Sequence, residues 1–530
     1  MAEPLPFMPV LIGCGDSVEG DAPLPPAERI GAKAHNLLRM ARLGLAVPPA
    51  FVIGTEWCGR EEALSPRDWA GALAAVEAAT GRRFGDRRRP LLLSVRSGAA
   101  VSMPGMLETL LDVGLSDVTL NGFVRVTGHP QLAWDAYRRL VQGFGEVVMG
   151  VDPAAFDADR QTVAGERDPH DLDFAELRRL TRLHLATVQR ESGRDFPQDP
   201  ADQLRQAVAA VFRSWSADKA RTWRRLQGQP DRIGTAVTVQ AMVFGNAGGL
   251  SGSGVAFTRQ PSTGAREPWV DFLLRAQGDD VVSGRRSAAG PEQLASLAPQ
   301  VWQELQQALA QLEEAFGDMQ DVEFTIENGR LWLLQSRDGK RTPVARARIA
   351  LDLCDEGVID AAEARRRTQG LDEQALSVER VAGEDGSEAL VLATATPAAH
   401  GVVSGELVLD EARARQRRAV GVPLVLVRAE AETRDLAALE LAAGLLTARG
   451  ARTSHAAVVA RQLGKVCLVG CDGLSIDLAR RRVRFGAVDV AEGDPISLDG
   501  HRGVVYRGAV RTVRVRADEL LARLARLRAM

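Results

Sequence analysis

The chain has 530 residues, 45% hydrophobic and 25% charged, with 66 Lys and Arg against 69 Asp and Glu and a formal net charge of −3. That length exceeds what one core supports, so about two to four domains are expected. The near-balance of charge argues against a nucleic-acid binder, which carries a basic excess. No apolar run approaches a membrane span, and MAEPLPFMPVLIGCGD lacks the basic start and apolar stretch of a secretory leader. The expectation is a soluble, cytoplasmic, multidomain protein with no membrane partner. Cys14, Cys58, Cys354, Cys467 and Cys471 are odd in number and scattered. The lone CxxxC lacks a second pair of ligands, so all five are expected to be reduced core thiols.

In chain order, AFVIG (50–54) and PLLLSVRSG (90–98) read as buried strands, with a helix over ALSPRDWAGALAAVEAATG between them. From about 116 to 225 the pattern turns helical and polar, as in FAELRRLTRLHLATVQRES. Strands return at AVTVQAMVFG (236–245) and GSGVAFTRQ (252–260), then a helix over PEQLASLAPQVWQELQQALAQLEEAFG and the hairpin DVEFTIENGRLWLLQSR. Residues 341–389 read as a helical linker, with LDEQALSVERVAGEDGSEA low in aromatics and rich in acid and glycine. A compact domain of strands and helices follows at 390–507. The arginine groups 87–89 and 480–482 read as solvated faces. The tail 508–530 ends in an amphipathic helix with Leu520, Leu521, Leu524 and Leu527 on one stripe, acids first and basics last. It is expected to pack back on its own domain, with docking on a partner chain as the alternative.

Several residues have a chemical look. In the hairpin, Asp321, Glu323 and Thr325 alternate on one strand, and Gln335 and Arg337 on the next. A two-residue Asn328-Gly329 turn pairs Glu323 with Leu334 and puts the polar residues on opposite faces. A three-residue loop instead pairs Glu323 with Gln335 and Asp321 with Arg337. One face would then offer oxygen ligands for Mg²⁺ and a guanidinium for phosphate. GAKAHNLLRMARLGLAVPPAF could present Lys33 to phosphates, although GxxxxGK[ST] is absent. Arg96 stands at a strand end ahead of a small-residue loop with Gly98 and Gly105, where backbone N–H groups can approach a phosphate. The glycine-rich FGNAGGLSGSG (244–254) reads as a flexible loop over a nucleotide. In TARGARTSHAAVVARQLG (447–464), Thr453 and Ser454 are capping residues, so His455 falls in the first turn of a helix. Unpaired N–H groups and the macrodipole there stabilise added negative charge.

The segments GAKAHNLLRMARLGLAVPPAF, SVRSGAAVSMPGMLETLLDVGL, WDAYRRLVQGFGEVVMGV, AVTVQAMVFGN, GSGVAFTRQPSTG, AQGDDVVSG, MQDVEFTIENGRLWLLQSRDGKRT and TSHAAVVARQLGK resemble, in order and spacing, those of the pyruvate phosphate dikinase family. The resemblance implies an α/β and α+β multidomain fold. An ATP-grasp nucleotide-binding domain (1–340) would carry a helical subdomain, followed by a swivelling phosphohistidine domain. It further implies that His455 takes the β,γ-pyrophosphoryl unit of ATP, releasing AMP. Inorganic phosphate then removes the terminal phosphoryl group as pyrophosphate. By motif, Lys33 and Arg96 hold the triphosphate, Arg337 stabilises charge in transfer, and Glu323 and Gln335 hold Mg²⁺ with Asp321 nearby. Thr453 and Ser454 steady the phosphohistidine.

Some positions depart from the family pattern. Asp279 and Glu108 each exchange one acid for the other, Ala451-Arg452 replaces the usual Gly-Met before the carrier, and a Thr-Ser-Pro is lost near LVRAEAE (426–432). The family's (β/α)₈ acceptor barrel would follow residue 507, where twenty-odd residues cannot build one. The acceptor is therefore expected on a partner subunit, or as a small molecule at the domain interface. Two other readings are slow ATP hydrolysis to AMP and a non-catalytic nucleotide sensor or phosphocarrier working through protein partners.

Overall fold

The computed structural model describes residues 7–15, 23–101, 103, 107–165, 167, 169–226, 230, 233–283, 290–382, 390–431, 435–450, 452 and 454–529. The chain divides into two compact units, residues 1–249 with 332–337, and residues 250–331 with 338–530. This division falls inside the region expected to form the nucleotide-binding domain.

The first unit is built on an all-antiparallel sheet in the order Val10–Ile12, Ala50–Ile53, Ala236–Ala241, Leu93–Gly98, Thr109–Val113. Every residue of Ala50–Ile53 and Ala236–Ala241 is buried, the polar Thr238 and Gln240 of the second strand included. The helical stretch is realised as a series from Leu120–Thr127 to Asp218–Leu226. Its boundaries follow local chemistry. Proline opens Pro130–Val147, Pro153–Ala164 and Pro200–Ser214. Phe174–Ser192 starts on an Asp173/Glu176 capping box and stops at left-handed Gly193. The buried rings of Phe123, Tyr137, Phe144, Phe156 and Phe212 fill the core beneath.

In the second unit, Gly252–Phe257 lies between Gln320–Glu327 and Trp269–Leu274, antiparallel to both. Gln320–Glu327 turns through Asn328 (φ 51°) and Gly329 (φ 79°) into Arg330–Asp338. Two consecutive positive φ values make a two-residue type I′ turn, so the three-residue loop that would have paired Glu323 with Gln335 is not adopted. Arg259 is fully buried and ties three carboxylates together, Glu313 (2.8 Å), Asp352 (3.1 Å) and Glu356 (3.3 Å).

The following domain is an eight-stranded sheet. Its centre, Val402–Val408, Leu424–Arg428, Gly444–Thr447 and Val466–Val469, is parallel, and antiparallel strands flank it. The segment read as an acidic linker contains a strand. Ser377–Val381 pairs antiparallel with Thr512–Arg516, five residues against five. The S-V-E-R-V alternation was visible, but its partner lies far along the chain. The tail helix Asp518–Ala529 packs Leu520, Leu524 and Leu527 onto Leu351, Ala364 and Leu376, and Arg523 reaches Asp352 and Asp355 at 2.7 and 2.8 Å. Arg87, Arg88 and Arg89 are exposed as expected, whereas Arg481 is half-buried between Asp410 and Glu492. All five cysteines are free, but only Cys467 and Cys471 are buried; the other three are half-buried. Among the described residues no helix is long and apolar enough to cross a membrane.

Candidate functional site

In the first unit the candidate residues gather around one helix, Ala27–Arg42. Its interior breaks at Gly31, whose φ of 78° and ψ of 150° are open to glycine alone. A Cβ at Gly31 would stand 2.1 Å from the carbonyl oxygen of Gly98, at the end of the strand that carries Arg96. The Ala32 N–H donates to the Ala99 carbonyl at 3.0 Å. The glycine therefore lets two backbones touch, with Lys33 two residues beyond on one side and Arg96 two residues before on the other. Farther along the helix, Asn36 Nδ2 donates to the Ser336 carbonyl at 2.8 Å, between Gln335 and Arg337. Gln335 is buried and Arg337 half-buried. Lys33, Arg96 and Arg337 thus sit on elements joined directly to one another. Gly105 lies outside the described residues. Glu108, the exchanged acid, is held by Lys219 at 2.5 Å.

In the second unit the cross-strand register sets one face of the sheet. Asp321 is opposite Phe257, which is opposite Trp269; Glu323 is opposite Val255, which is opposite Asp271. Directly opposed residues share a face, so Asp321, Glu323, Trp269 and Asp271 lie on one side. Asp321 and Asp271 are 3% and 1% exposed, a depth at which carboxylates require partners. Asp279 is exposed on the short helix Gly278–Ser283, apart from that face.

The carrier segment reaches the same face. Strand Gly444–Thr447 ends at the carboxyl edge of the parallel strands, where α/β sheets bind ligands, and helix His455–Gln462 begins after the loop that follows. Ser454 is the N-cap, its hydroxyl accepting from the Ala457 N–H, so His455 occupies the first helical position as expected. Thr453 lies outside the described residues. Arg452 Nε donates to Asp271 Oδ1 at 2.7 Å and its Nη2 to the Val270 carbonyl at 2.7 Å, with the guanidinium 4.6 Å above the Trp269 ring. Arg461, near the other end of the helix, stacks 4.9 Å from Trp269 and 5.7 Å from Phe257. Burial pulls its pKa down to about 10, against the opposing charges of Asp321 and Asp271. Asp271 and Trp269 escaped the sequence reading. The available signal was an acid in the middle of the apolar strand WVDFLL.

The fold sets an antiparallel-sheet unit bearing Lys33, Arg96 and Arg337 ahead of an eight-stranded mixed-sheet domain bearing His455. Residues 60–292 and 290–357 match the family model "Pyruvate phosphate dikinase, AMP/ATP-binding domain", and 421–503 match "PEP-utilising enzyme, mobile domain". The chain belongs to the pyruvate phosphate dikinase family. It is 41% identical over 498 residues to pyruvate, phosphate dikinase of Clostridium symbiosum and 40% over 509 residues to that of Rhizobium meliloti. It is 40% identical over 491 residues to pyruvate, phosphate dikinase 2 of Zea mays. Each match covers 91% of this chain and 56% of the relative, so the chain spans about half the length of these proteins.

Proposed function

We propose that the chain carries out the nucleotide half of a dikinase reaction. The imidazole of His455 attacks the β-phosphorus of ATP, forming a phosphorus–nitrogen bond and expelling AMP. Inorganic phosphate then attacks the terminal phosphorus of the bound pyrophosphoryl group. Pyrophosphate leaves and a single phosphoryl group stays on nitrogen. That group passes to a small-molecule acceptor held by a partner subunit or at a domain interface. The observation that carries the reading is the seating of the His455 segment on the sheet face that bears Asp321 and Glu323.

Lys33 and Arg96 hold the triphosphate, and Arg337 balances charge during transfer. Phosphoryl transfer depends on in-line placement and charge neutralisation more than on proton transfer. A neutral imidazole is already a competent nucleophile near pH 7. Ser454, with Thr453, orients the carrier. Glu323 is the hard oxygen donor proposed for Mg²⁺, with Asp321 two residues away on the same strand face; the two-residue turn sets Gln335 out of register with Glu323, so its amide oxygen is not counted beside it. Bound there, the ion would neutralise phosphate charge. Phosphate oxygens and water would complete its coordination.

The test is product analysis with Mg²⁺ and ATP, with and without phosphate, beside His455→Ala. AMP, an acid-labile phosphate on protein that the variant lacks, and pyrophosphate only with added phosphate are expected. ADP as the product, or no turnover, would overturn the proposal.

A further inference from the structure

We propose that Arg452 is a positioning residue that latches the carrier segment onto the face bearing Asp321 and Glu323. The proposal deepens, and rests on, the reading of His455 as phosphocarrier. Three separate interactions engage the one guanidinium: the Asp271 carboxylate at 2.7 Å, the Val270 carbonyl at 2.7 Å, and the face of Trp269 at 4.6 Å. A surface ion pair would hold little, but the Asp271 side chain is 1% exposed and that of Arg452 19%. Removing Arg452 would take a hydrogen-bonded cation from a desolvated carboxylate, so this pair resists separation.

Arg452 stands three residues before His455, with the Ser454 cap between them. Fixing its guanidinium fixes where the carrier helix begins. Arg461 braces the arrangement from the same helix, donating from Nη2 to the Arg452 carbonyl at 3.2 Å while its guanidinium lies 4.9 Å from the same indole. A neutral side chain at position 452 could offer Asp271 no opposite charge.

The latch is tested on the full chain with Arg452→Met, Arg452→Lys, Asp271→Asn and the Met/Asn double variant. Hydrogen exchange without nucleotide follows peptides covering 269–274 and 448–463, and rapid quench follows His455 phosphorylation. Arg452→Met should speed exchange in both peptides on the order of tenfold. It should lower the phosphorylation rate by a similar factor while leaving the Kd for Mg²⁺-ATP unchanged. Lysine should restore part of both effects. The double variant should be no worse than either single one, because both remove the same interaction. Unchanged exchange in Arg452→Met, or additive effects in the double variant, would overturn the latch. Should the wild type form no AMP while Arg452→Met still loosens both peptides, the latch stands and the phosphotransfer reading falls.

Discussion

Gly31→Ala isolates what the close approach beneath Lys33 and Arg96 is worth. The substitution puts a methyl group at φ 78° and ψ 150°, a conformation that costs a non-glycine residue about 1–3 kcal/mol. The methyl would also lie 2.1 Å from the Gly98 oxygen and 2.5 Å from its carbonyl carbon. Both are backbone atoms, which cannot rotate away. The helix and strand must part by more than an ångström. That endangers the Ala32–Ala99 hydrogen bond and the bond from the Gly98 N–H to Thr235 Oγ1, each worth about 1 kcal/mol. A loss of about 3–5 kcal/mol is expected by urea unfolding followed by circular dichroism. Because Lys33 and Arg96 flank the contact, Mg²⁺-ATP affinity should fall at least tenfold in calorimetry, as ångström-scale misplacement of charged groups implies. Gly44→Ala is the control. Its φ is 75° but a Cβ there meets nothing within 4 Å, so it should cost only about 1 kcal/mol and leave ATP binding alone. If Gly31→Ala costs no more than Gly44→Ala and binds ATP normally, the close approach does not position the phosphate-binding pair.

Arg259→Met should destabilise the chain by about 3–5 kcal/mol in urea unfolding, because Glu313, Asp352 and Glu356 lose their shared partner; a loss under about 1 kcal/mol would refute the bridging role. His184 sits in the core against Phe156, and burial, helped by the charge of Arg138, lowers its pKa from 6.5 to about 3. The unfolded chain takes up this proton first, so the term is absent above pH 6.5 and erodes stability as pH falls from there toward 3. At pH 5 the erosion is about 2 kcal/mol. His184→Gln should flatten that part of the stability profile between pH 7 and 5, and an unchanged slope would refute it.

Much of the fold was legible because local rules and tertiary need agreed. The segments expected at 50–54 and 236–245 became the buried strands Ala50–Ile53 and Ala236–Ala241, and Asp173 and Ser454 capped the helices that follow them. The helical period of the tail predicted which leucines pack, with Leu520, Leu524 and Leu527 inward. Contacts between distant segments stayed hidden. Asn328-Gly329 fitted two loop lengths, and the choice depended on two positive φ values that composition permits but does not compel. Residues 377–381 looked like solvent-loving linker because half of the ladder lies more than a hundred residues away. For the site, the residue types on the hairpin and carrier loop were readable. That Arg452 would find Asp271, 181 residues distant in sequence, follows from no periodicity. Gly31 was noticed only as part of a motif, since the need for a glycine arises from the strand it touches.

The ladder of Ser377–Val381 and Thr512–Arg516 has a mechanical corollary. The path into the carrier domain and the path out of it are fastened to each other immediately outside the eight-stranded sheet. A load on a single cord can wander through a sphere and spin about its own axis, whereas a load on a flat two-ply strap bends easily only across the strap's width. If this domain is the carrier proposed above, such a strap would turn a three-dimensional search into travel along an arc. The histidine would then arrive facing the same way each time, raising the local concentration of the reacting group without any new contact at either stop.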